Sequence, residues 1–400
     1  MNRPVLLILL IFYCAASVAQ RSKDFYLSGA AKMQSGDIDS AVYYLNQAIT
    51  WEPDRYQYYI KLGEALYAAG RYDEAIKSFE GVESGKAFIT FLWLSRCYAK
   101  TGNNVKSLEY LKDYLHFDNR LPDKEIKRDE AYDQLQLTDG WFQLWQDVTY
   151  AGEASLEDDI LYLINNEKYV DAIALIDKKT ENSENPGILY RYRAEIEGLQ
   201  GNYKASAMDW TELINRNKND YLAYKERGKA YLKAEKFAES VSDFSKALRL
   251  EPADFELYIL KARAEKGLKD YSSAEEELLI YLDYFPEDKA SIQFLGELYY
   301  EEGNYVGALK AFNKNLLLDN SNAVYYKARG KTYLKTRMYK YAIEDLSMSL
   351  DLNAEDGETY YYKAMARYYS GDRPGACADW KEAATRGEAR AVRELIDNCR

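Results

Sequence analysis

The sequence predicts an all-α solenoid of about ten helix-turn-helix repeats with one irregular insertion, and a fixed spacing of 34 residues is the main reason. A small residue recurs at this spacing along the C-terminal half, at Ala194, Gly228, Ala262, Gly296, Gly330 and Ala364. A second small residue follows each of them twelve positions later, at Ser206, Ser240, Ala274, Ala308, Ala342 and Ala376. A period of this length indicates stacked units, each of which buries its apolar face against its neighbours.

The unit that begins at Tyr224 resembles a tetratricopeptide repeat. Its pattern is Tyr224-x-x-Arg227-Gly228-x-x-Tyr231, followed by Phe237-x-x-Ser240-x-x-x-Phe244-x-x-Ala247-x-x-x-x-Pro252. The resemblance implies two antiparallel helices per repeat and a right-handed superhelix. Gly228 and Ser240 would lie where the two helix axes approach most closely, and Pro252 would follow the second helix, which it cannot continue.

The repeat pattern divides the chain into five parts. We expect a signal peptide, a block of three repeats, a divergent aromatic segment, a block of seven repeats and a capping helix, over residues 1–19, 20–118, 119–152, 153–387 and 388–400.

The period fails in the divergent segment, which is rich in aromatic residues. These are Tyr132, Trp141, Phe142, Trp145 and Tyr150. Helical apolar spacing favours a helix pair that packs between the two blocks. An exposed aromatic binding patch is the alternative. Similar Trp-containing segments occur in exported bacterial proteins that resemble this one.

The N-terminus has the pattern of a secretory signal. Arg3 precedes a short apolar run that ends in Ser17-Val18-Ala19, which predicts cleavage after Ala19. Cys14 raises the alternative of a lipoprotein, but Tyr13 stands where that signal requires a small residue. No second long apolar segment follows, so we expect no transmembrane segment after cleavage and a periplasmic or envelope location, with secretion as the alternative.

Composition and motifs argue against several classes of function. A net charge of -12 and a pI near 5.0 do not fit general nucleic-acid binding. His116 is the only histidine, which excludes multi-histidine zinc sites. Gly330-Lys331-Thr332 lacks the upstream glycine of a phosphate loop, and the acidic stretch 351–357 lacks the spacing of a calcium loop. We therefore predict no catalytic, cofactor or metal site.

The resemblance also implies where a ligand would bind, because first helices line the concave surface of a tetratricopeptide superhelix. Transferred to this chain, the inward positions predict a basic groove with aromatic walls, formed by Lys225, Lys229, Arg263, Lys266, Tyr300, Lys327, Lys331, Tyr361 and Tyr368. Such a groove suits an extended peptide with acidic residues or a free carboxylate. Lys229 and Lys331 stand where chaperone-type members have asparagine. The alternative is a solvated basic face without a ligand.

Three cysteines remain after the predicted cleavage. Cys377 lies near the start of the last repeat's second helix, and Cys399 near the end of the terminal helix. Antiparallel helices joined around Arg386 and Gly387 would bring them side by side, which predicts a disulfide in an oxidising compartment. Two buried thiols are the alternative, and Cys97 is interpreted as a small core residue.

The expected function is therefore that of an exported scaffold or adaptor, which binds a protein or peptide in the bacterial cell envelope. A glycan- or cell-wall-binding module that uses Tyr300, Tyr361 and Tyr368, and an enzyme subunit with an unrecognised site, are the alternatives.

Overall fold

The described part of the chain is helical and contains no strand. The structure, a computed structural model, describes residues 3–82, 88–117, 120–150, 154–181, 183 and 186–399. The side chains of residues 3–17, 147–150 and 154–155 lie outside this description. Across the described ranges, 23 α-helices form two compact units, Met1–Leu257 and Tyr258–Arg400. The predicted all-α fold is confirmed.

The first unit contains three helix pairs, an irregular segment and three further pairs. The first pairs are α1 (Arg3–Gln34), α2 (Ile38–Trp51), α3 (Tyr56–Ala68), α4 (Tyr72–Glu80), α5 (Ile89–Lys100) and α6 (Asn104–Leu115). The irregular segment has α7 (Asp123–Lys127), two 3-10 turns at Glu130–Tyr132 and Leu135–Leu137, and α8 (Asp139–Tyr150). The last pairs are α9 (Ala154–Asn165), α10 (Tyr169–Thr180), α11 (Gly187–Leu199), α12 (Tyr203–Arg216), α13 (Tyr221–Lys233) and α14 (Phe237–Leu250).

The second unit continues with helix pairs and ends in a single helix. The helices are α15 (Glu256–Gly267), whose first turn contains the unit boundary, α16 (Tyr271–Tyr284), α17 (Lys289–Glu302), α18 (Tyr305–Leu318), α19 (Ala323–Lys335), α20 (Tyr339–Leu352), α21 (Gly357–Ser370), α22 (Arg373–Thr385) and α23 (Ala389–Asn398). The first helices of successive pairs contact each other, α17 with α19 and α19 with α21. They therefore form one continuous surface of this unit.

Small residues allow the two helices of a pair to approach closely. The Ser240 hydroxyl donates a hydrogen bond to the Gly228 carbonyl at 2.9 Å. A Cβ atom added at Gly228 would lie 2.6 Å from the Phe244 ring, and one at Gly296 would lie 2.4 Å from Phe312. The recurring small residues are therefore required by the helix crossings.

The divergent segment packs into the stack. Tyr132, Trp141 and Trp145 are buried in one core with Leu92 and Leu111, which belong to the preceding repeat. Its first half is a short helix with two 3-10 turns, where a full helix was predicted. Pro122 precedes the short helix, which ends at Lys127, and Asp129 caps the first 3-10 turn by accepting a hydrogen bond from the Ala131 amide. Of the predicted aromatic patch, Phe142 is exposed, and the side chain of Tyr150 lies outside the described residues.

A buried ion cluster fastens the divergent segment to the repeat that follows it. Arg120 lies 2.5 Å from Asp123 and 2.7 Å from Glu157 on α9, and all three side chains are buried. Burial raises the pKa of Glu157, although Arg120 opposes that shift. The segment thus continues the packing from α6 to α9, so the compact units divide at Leu257 and not at this segment.

The N-terminal helix also contacts a distant part of the first unit. The hydroxyl of Tyr26 on α1, fully buried, donates a hydrogen bond of 2.7 Å to Glu251, just after α14. Burial, with Glu251 nearby, raises the pKa of Tyr26 well above its usual value. The two ends of the first unit therefore meet.

The predicted signal peptide, residues 1–19, lies largely outside the described side chains, and its backbone from Arg3 onward is part of α1. Wherever side chains are described, no helix is both long and apolar enough to cross a membrane.

Candidate partner-binding site

The two groove lysines of the first unit are paired with carboxylates. Lys225 on α13 lies 2.6 Å from Asp254 and 2.7 Å from Glu256. Lys229, one turn later, lies 2.9 Å from Glu226. Partial burial would raise the pKa of Glu256, but Lys225 and Lys229 outweigh it and lower the pKa. These lysines form a neutralised ion network.

In the second unit, Lys266 and Arg263 differ in their pairing. Lys266 lies 2.7 Å from Glu301 and 5.7 Å from the centre of the Phe294 ring. Arg263 is exposed, 6.0 Å from the same ring, and makes no ion pair with any described residue. Of the predicted groove cations, Arg263 thus keeps an unbalanced charge.

The main cluster of the second unit centres on Glu358, at the start of α21. Lys327 and Lys331 on α19 lie 3.1 and 3.5 Å from its carboxylate, and Arg390 on α23 lies 3.8 Å away. Lys327 also lies 2.9 Å from Asp356. Partial burial would raise the pKa of Glu358, but Lys331 and Lys327 outweigh it and hold the pKa below its ordinary value. Glu358 therefore stays ionised between three cations.

Tyrosine rings form the wall beside this cluster. Lys331 Nζ lies 4.6 Å from the centre of the Tyr362 ring, and the Arg390 guanidinium lies 4.5 Å from that of Tyr361. Contacts of this kind between a cation and a ring face stabilise both groups. Burial, followed by the influence of Tyr362, raises the pKa of Tyr300 to about 12, so Tyr300 stays protonated and able to donate a hydrogen bond.

Tyr368 belongs to a different environment. Its ring packs 5.5 Å from Trp380 in the core of the last repeat, with Arg373 5.7 Å away. We therefore place Tyr368 outside the Glu358 cluster, whose members are Tyr300, Lys327, Lys331, Glu358, Tyr361, Tyr362 and Arg390.

Three residues of the cluster, Glu358, Tyr362 and Arg390, were not predicted from the sequence. A sequence signal for the carboxylate exists. Lys225 precedes Asp254 and Glu256 by 29 and 31 residues, and Lys327 precedes Asp356 and Glu358 by the same intervals. The pairing in the first unit is thus repeated 102 residues later in the second. This pairing removes the excess of positive charge that was predicted for these positions.

The cluster holds ionised groups and rings at a partly exposed surface. Glu358 is 36% exposed and Arg390 47% exposed. Where side chains are described, no three His, Cys, Asp or Glu residues are arranged to hold a metal ion. The chemistry available at this surface is the binding of charged and aromatic groups.

Cys377 and Cys399 form a disulfide in this structure, with Cα atoms 5.7 Å apart. It joins α22 to the end of α23, beside the Trp380 core. Cys97 is a buried free thiol, and burial raises its pKa to about 12.

Comparison with known proteins identifies the repeats. Family models described as tetratricopeptide repeat match residues 32–83, 225–288 and 259–322. A TPR repeat-containing protein of Methanocaldococcus jannaschii is 24% identical over 364 residues, which are 86% of this chain and 60% of that protein. Human serine/threonine-protein phosphatase 5 is 30% identical over 83 residues, which are 21% of this chain and 17% of the phosphatase. The chain thus spans less than two thirds of either relative.

A solved structure agrees with the fold. The C-terminal part of a TPR repeat-containing protein from Cytophaga hutchinsonii superposes with a TM-score of 0.50 at 18% identity, over 60% of this chain and 98% of that one. Paired helices with small residues at their crossings define an α-solenoid repeat protein. Within that class, the chain is a tetratricopeptide-repeat protein, as its sequence predicts. Repeats of this family mediate protein-protein interaction.

Proposed function

We propose that this chain is an exported scaffold that binds a protein or peptide partner in the bacterial cell envelope, through the first-helix surface of its second unit. The observation that carries the proposal is the Glu358 cluster. Three cations from two helices surround one carboxylate at a partly exposed surface, beside Tyr361 and Tyr362.

The cluster suits a partner because its cations are already positioned and partly dehydrated. A side chain that is ordered before binding loses less conformational entropy when a ligand arrives. Arg390 is the most exposed of the three cations. Its Nε and Nη2 each donate a 2.8 Å hydrogen bond to Glu388, so a partner's carboxylate would compete with Glu388 for this guanidinium. A partner's carboxylate beside Arg390 would share the cations that Glu358 now occupies.

The test is a pull-down from an envelope extract with the wild-type chain and with Lys331→Glu/Arg390→Glu. We expect one stoichiometric partner for the wild type and its loss in the double variant. Lys310→Glu/Lys314→Glu makes the same charge change at exposed positions of α18 that form no ion pair with described residues, and it should retain the partner. Equal retention by both variants would refute the site.

Export is the second part of the proposal. It is supported by the signal pattern that ends at Ala19 and by the Cys377–Cys399 disulfide, since disulfides persist in oxidising compartments. Expression of the full chain with its leader should yield an envelope fraction whose first residue is Gln20. An unprocessed N-terminus in the cytoplasmic fraction would contradict export.

The alternative of a glycan-binding module requires exposed ring faces for sugars. Arg390 covers one face of Tyr361, and Tyr368 packs against Trp380. These contacts favour a protein partner over a sugar at this surface.

A further inference from the structure

The turn between α19 and α20 carries an exposed basic and aromatic surface, which we call the turn patch. Its residues are Lys335, Arg337, Met338, Tyr339, Lys340, Tyr341 and, from the end of α21, Tyr369. Arg337 adopts a left-handed backbone conformation with φ 61°. The same turn position is glycine in the two neighbouring repeats, Gly303 and Gly371. A non-glycine residue there costs about 1 kcal/mol, and this chain accepts that cost at Glu235 and Lys269 of earlier repeats as well as at Arg337.

No described carboxylate lies within ion-pair distance of the turn-patch cations. Lys335, Arg337 and Lys340 are exposed and make no ion pair with any described residue. Residues 331–341 include no acidic residue. Glu344, on the next turn of α20, is exposed but lies beyond ion-pair distance of Lys340. The positive charges of the turn patch are therefore not balanced by an ion pair, whereas those of Lys327 and Lys331 are balanced by Glu358.

Two acidic residues of the flanking turns are engaged elsewhere, and Glu302, at the end of α17, makes no ion pair with any described residue. Glu301, at the end of α17, pairs with Lys266. Asp372 accepts a hydrogen bond from the Gly375 amide at the start of α22 and lies 3.7 Å from Arg367. Neither carboxylate neutralises the turn patch by direct contact.

The tyrosines of the turn patch pack against other tyrosine rings, and part of their apolar surface stays exposed. Tyr339 stacks on Tyr369 with ring centres 5.8 Å apart, and Tyr341 lies 5.5 Å from Tyr333. Tyr341 is 50% exposed, Tyr369 53% and Met338 42%. Tyrosine, methionine and arginine are enriched in protein-protein interfaces, where ring and thioether surface is buried.

We propose that the turn patch docks an acidic segment of a partner protein in which apolar side chains alternate with carboxylates. The carboxylates pair with Lys335, Arg337 and Lys340, and the apolar side chains pack on Tyr341, Tyr369 and Met338. The net charge of -12 repels an acidic partner overall, so the attraction by this uncompensated cationic surface acts only within about 10 Å, the screening length at moderate salt. This surface is separate from the Glu358 cluster, so each can be tested alone.

The test measures the binding of a fluorescein-labelled peptide, in which glutamate alternates with leucine, to the purified chain by fluorescence anisotropy. A peptide with glutamine in place of glutamate serves as the uncharged probe. The variants are Lys335→Glu/Arg337→Glu/Lys340→Glu and the matched control Lys310→Glu/Lys314→Glu/Lys381→Glu, which changes the net charge equally at other exposed positions of the second unit. The circular dichroism and unfolding midpoint of both variants are compared with wild type.

We expect the turn-patch variant to bind the acidic peptide about tenfold or more weakly than wild type, while the control stays within about twofold. The uncharged peptide should bind more weakly to the wild type than the acidic one. Tyr341→Ala/Tyr369→Ala should weaken acidic-peptide binding without changing its salt dependence. Equal losses in the two charge variants would overturn the proposal. So would binding to vesicles of phosphatidylglycerol and phosphatidylcholine without binding to the peptide, because that result assigns the patch to a membrane surface.

Discussion

Arg227 on α13 donates two hydrogen bonds, of 2.8 and 2.7 Å, to the carboxylate of Asp243 on α14, sixteen residues later. The same bidentate pair recurs as Arg193 with Asp209 and as Arg329 with Asp345. Each arginine also reaches back sixteen residues to the preceding repeat, at Asp177, Thr211 and Asn313 respectively. One guanidinium thus connects three helices at each of these repeats.

Replacing Arg227 with alanine should therefore destabilise the first unit. Burial raises the pKa of Asp243 even with Arg227 present, and without the arginine its carboxylate would be buried without a cation. We expect a loss of about 2–3 kcal/mol in the free energy of unfolding, measured by urea titration. Arg249→Ala removes an exposed arginine from α14 that forms no ion pair with described residues, and it should cost less than about 0.5 kcal/mol. Similar losses for both variants would contradict a role for the pair.

The crossing of α13 and α14 yields a second prediction, which pairs a destabilising substitution with a second one that should restore part of the stability. Gly228→Ala places a methyl group 2.6 Å from the Phe244 ring and should destabilise by about 1–2 kcal/mol, despite the better helix propensity of alanine. The next repeat has Ala262 and Leu278 at the two corresponding positions. Adding Phe244→Leu should therefore recover part of the stability lost in Gly228→Ala. The test is a double-mutant cycle by urea titration. If the two substitutions change the free energy of unfolding by strictly additive amounts, contact with Phe244 does not limit the size of the residue at position 228.

A buried acid in the second unit predicts a pH dependence. Glu265 on α15 is buried and shares Lys261, 3.4 Å away, with Glu277. Burial raises the pKa of Glu265 to about 7, against the attraction of Lys261 and with a further contribution from Glu277. In the unfolded chain the pKa of Glu265 is near 4.5. Between about pH 4.5 and pH 7, Glu265 is therefore protonated in the native state and ionised in the unfolded chain. Glu265 therefore lowers stability as pH rises from about 4.5 to about 7.

Glu265→Gln removes this titration and should raise the free energy of unfolding by about 1–3 kcal/mol at about pH 8, with little effect at about pH 4.5. Glu276→Gln, at an exposed position of α16, changes the charge equally and should show no such dependence. The measurement is thermal and urea unfolding of the three proteins over that pH range. An increase in the free energy of unfolding from Glu265→Gln that is the same at both pH values would argue against a raised pKa of Glu265.

The repeat period predicted those features of the fold that depend on packing within one helix pair. Gly228, Ser240 and Phe244 occupy fixed positions because each helix pair meets the same steric requirement, and a single sequence reveals that requirement when it recurs. The tetratricopeptide pattern therefore predicted the helix pairs and the residues at their crossings.

The contacts between repeats could not be predicted in the same way. Whether Lys327 meets Glu358 depends on how far each repeat is rotated relative to the next, and spacing alone does not specify that rotation. The contact of Tyr26 with Glu251 depends on the rotations accumulated along the whole first unit. Trp141 and Trp145 lie in a segment that occurs once, so no second copy shows which face it buries.

The bond between Cys377 and Cys399 leads to a prediction about the end of the solenoid. A link between residues 22 positions apart should stabilise the native state by about 3 kcal/mol, because it restricts the unfolded chain. In protein isolated from an exported fraction and denatured without reductant, we expect one reactive thiol, that of Cys97, and three after reduction. Cys399→Ser should lower the midpoint of urea unfolding of the oxidised protein and should make it insensitive to reductant, whereas Cys97→Ala should retain the effect of reductant. Three reactive thiols before reduction would contradict both the bond and the oxidising compartment, because a disulfide between these neighbouring helices should form wherever the environment allows oxidation.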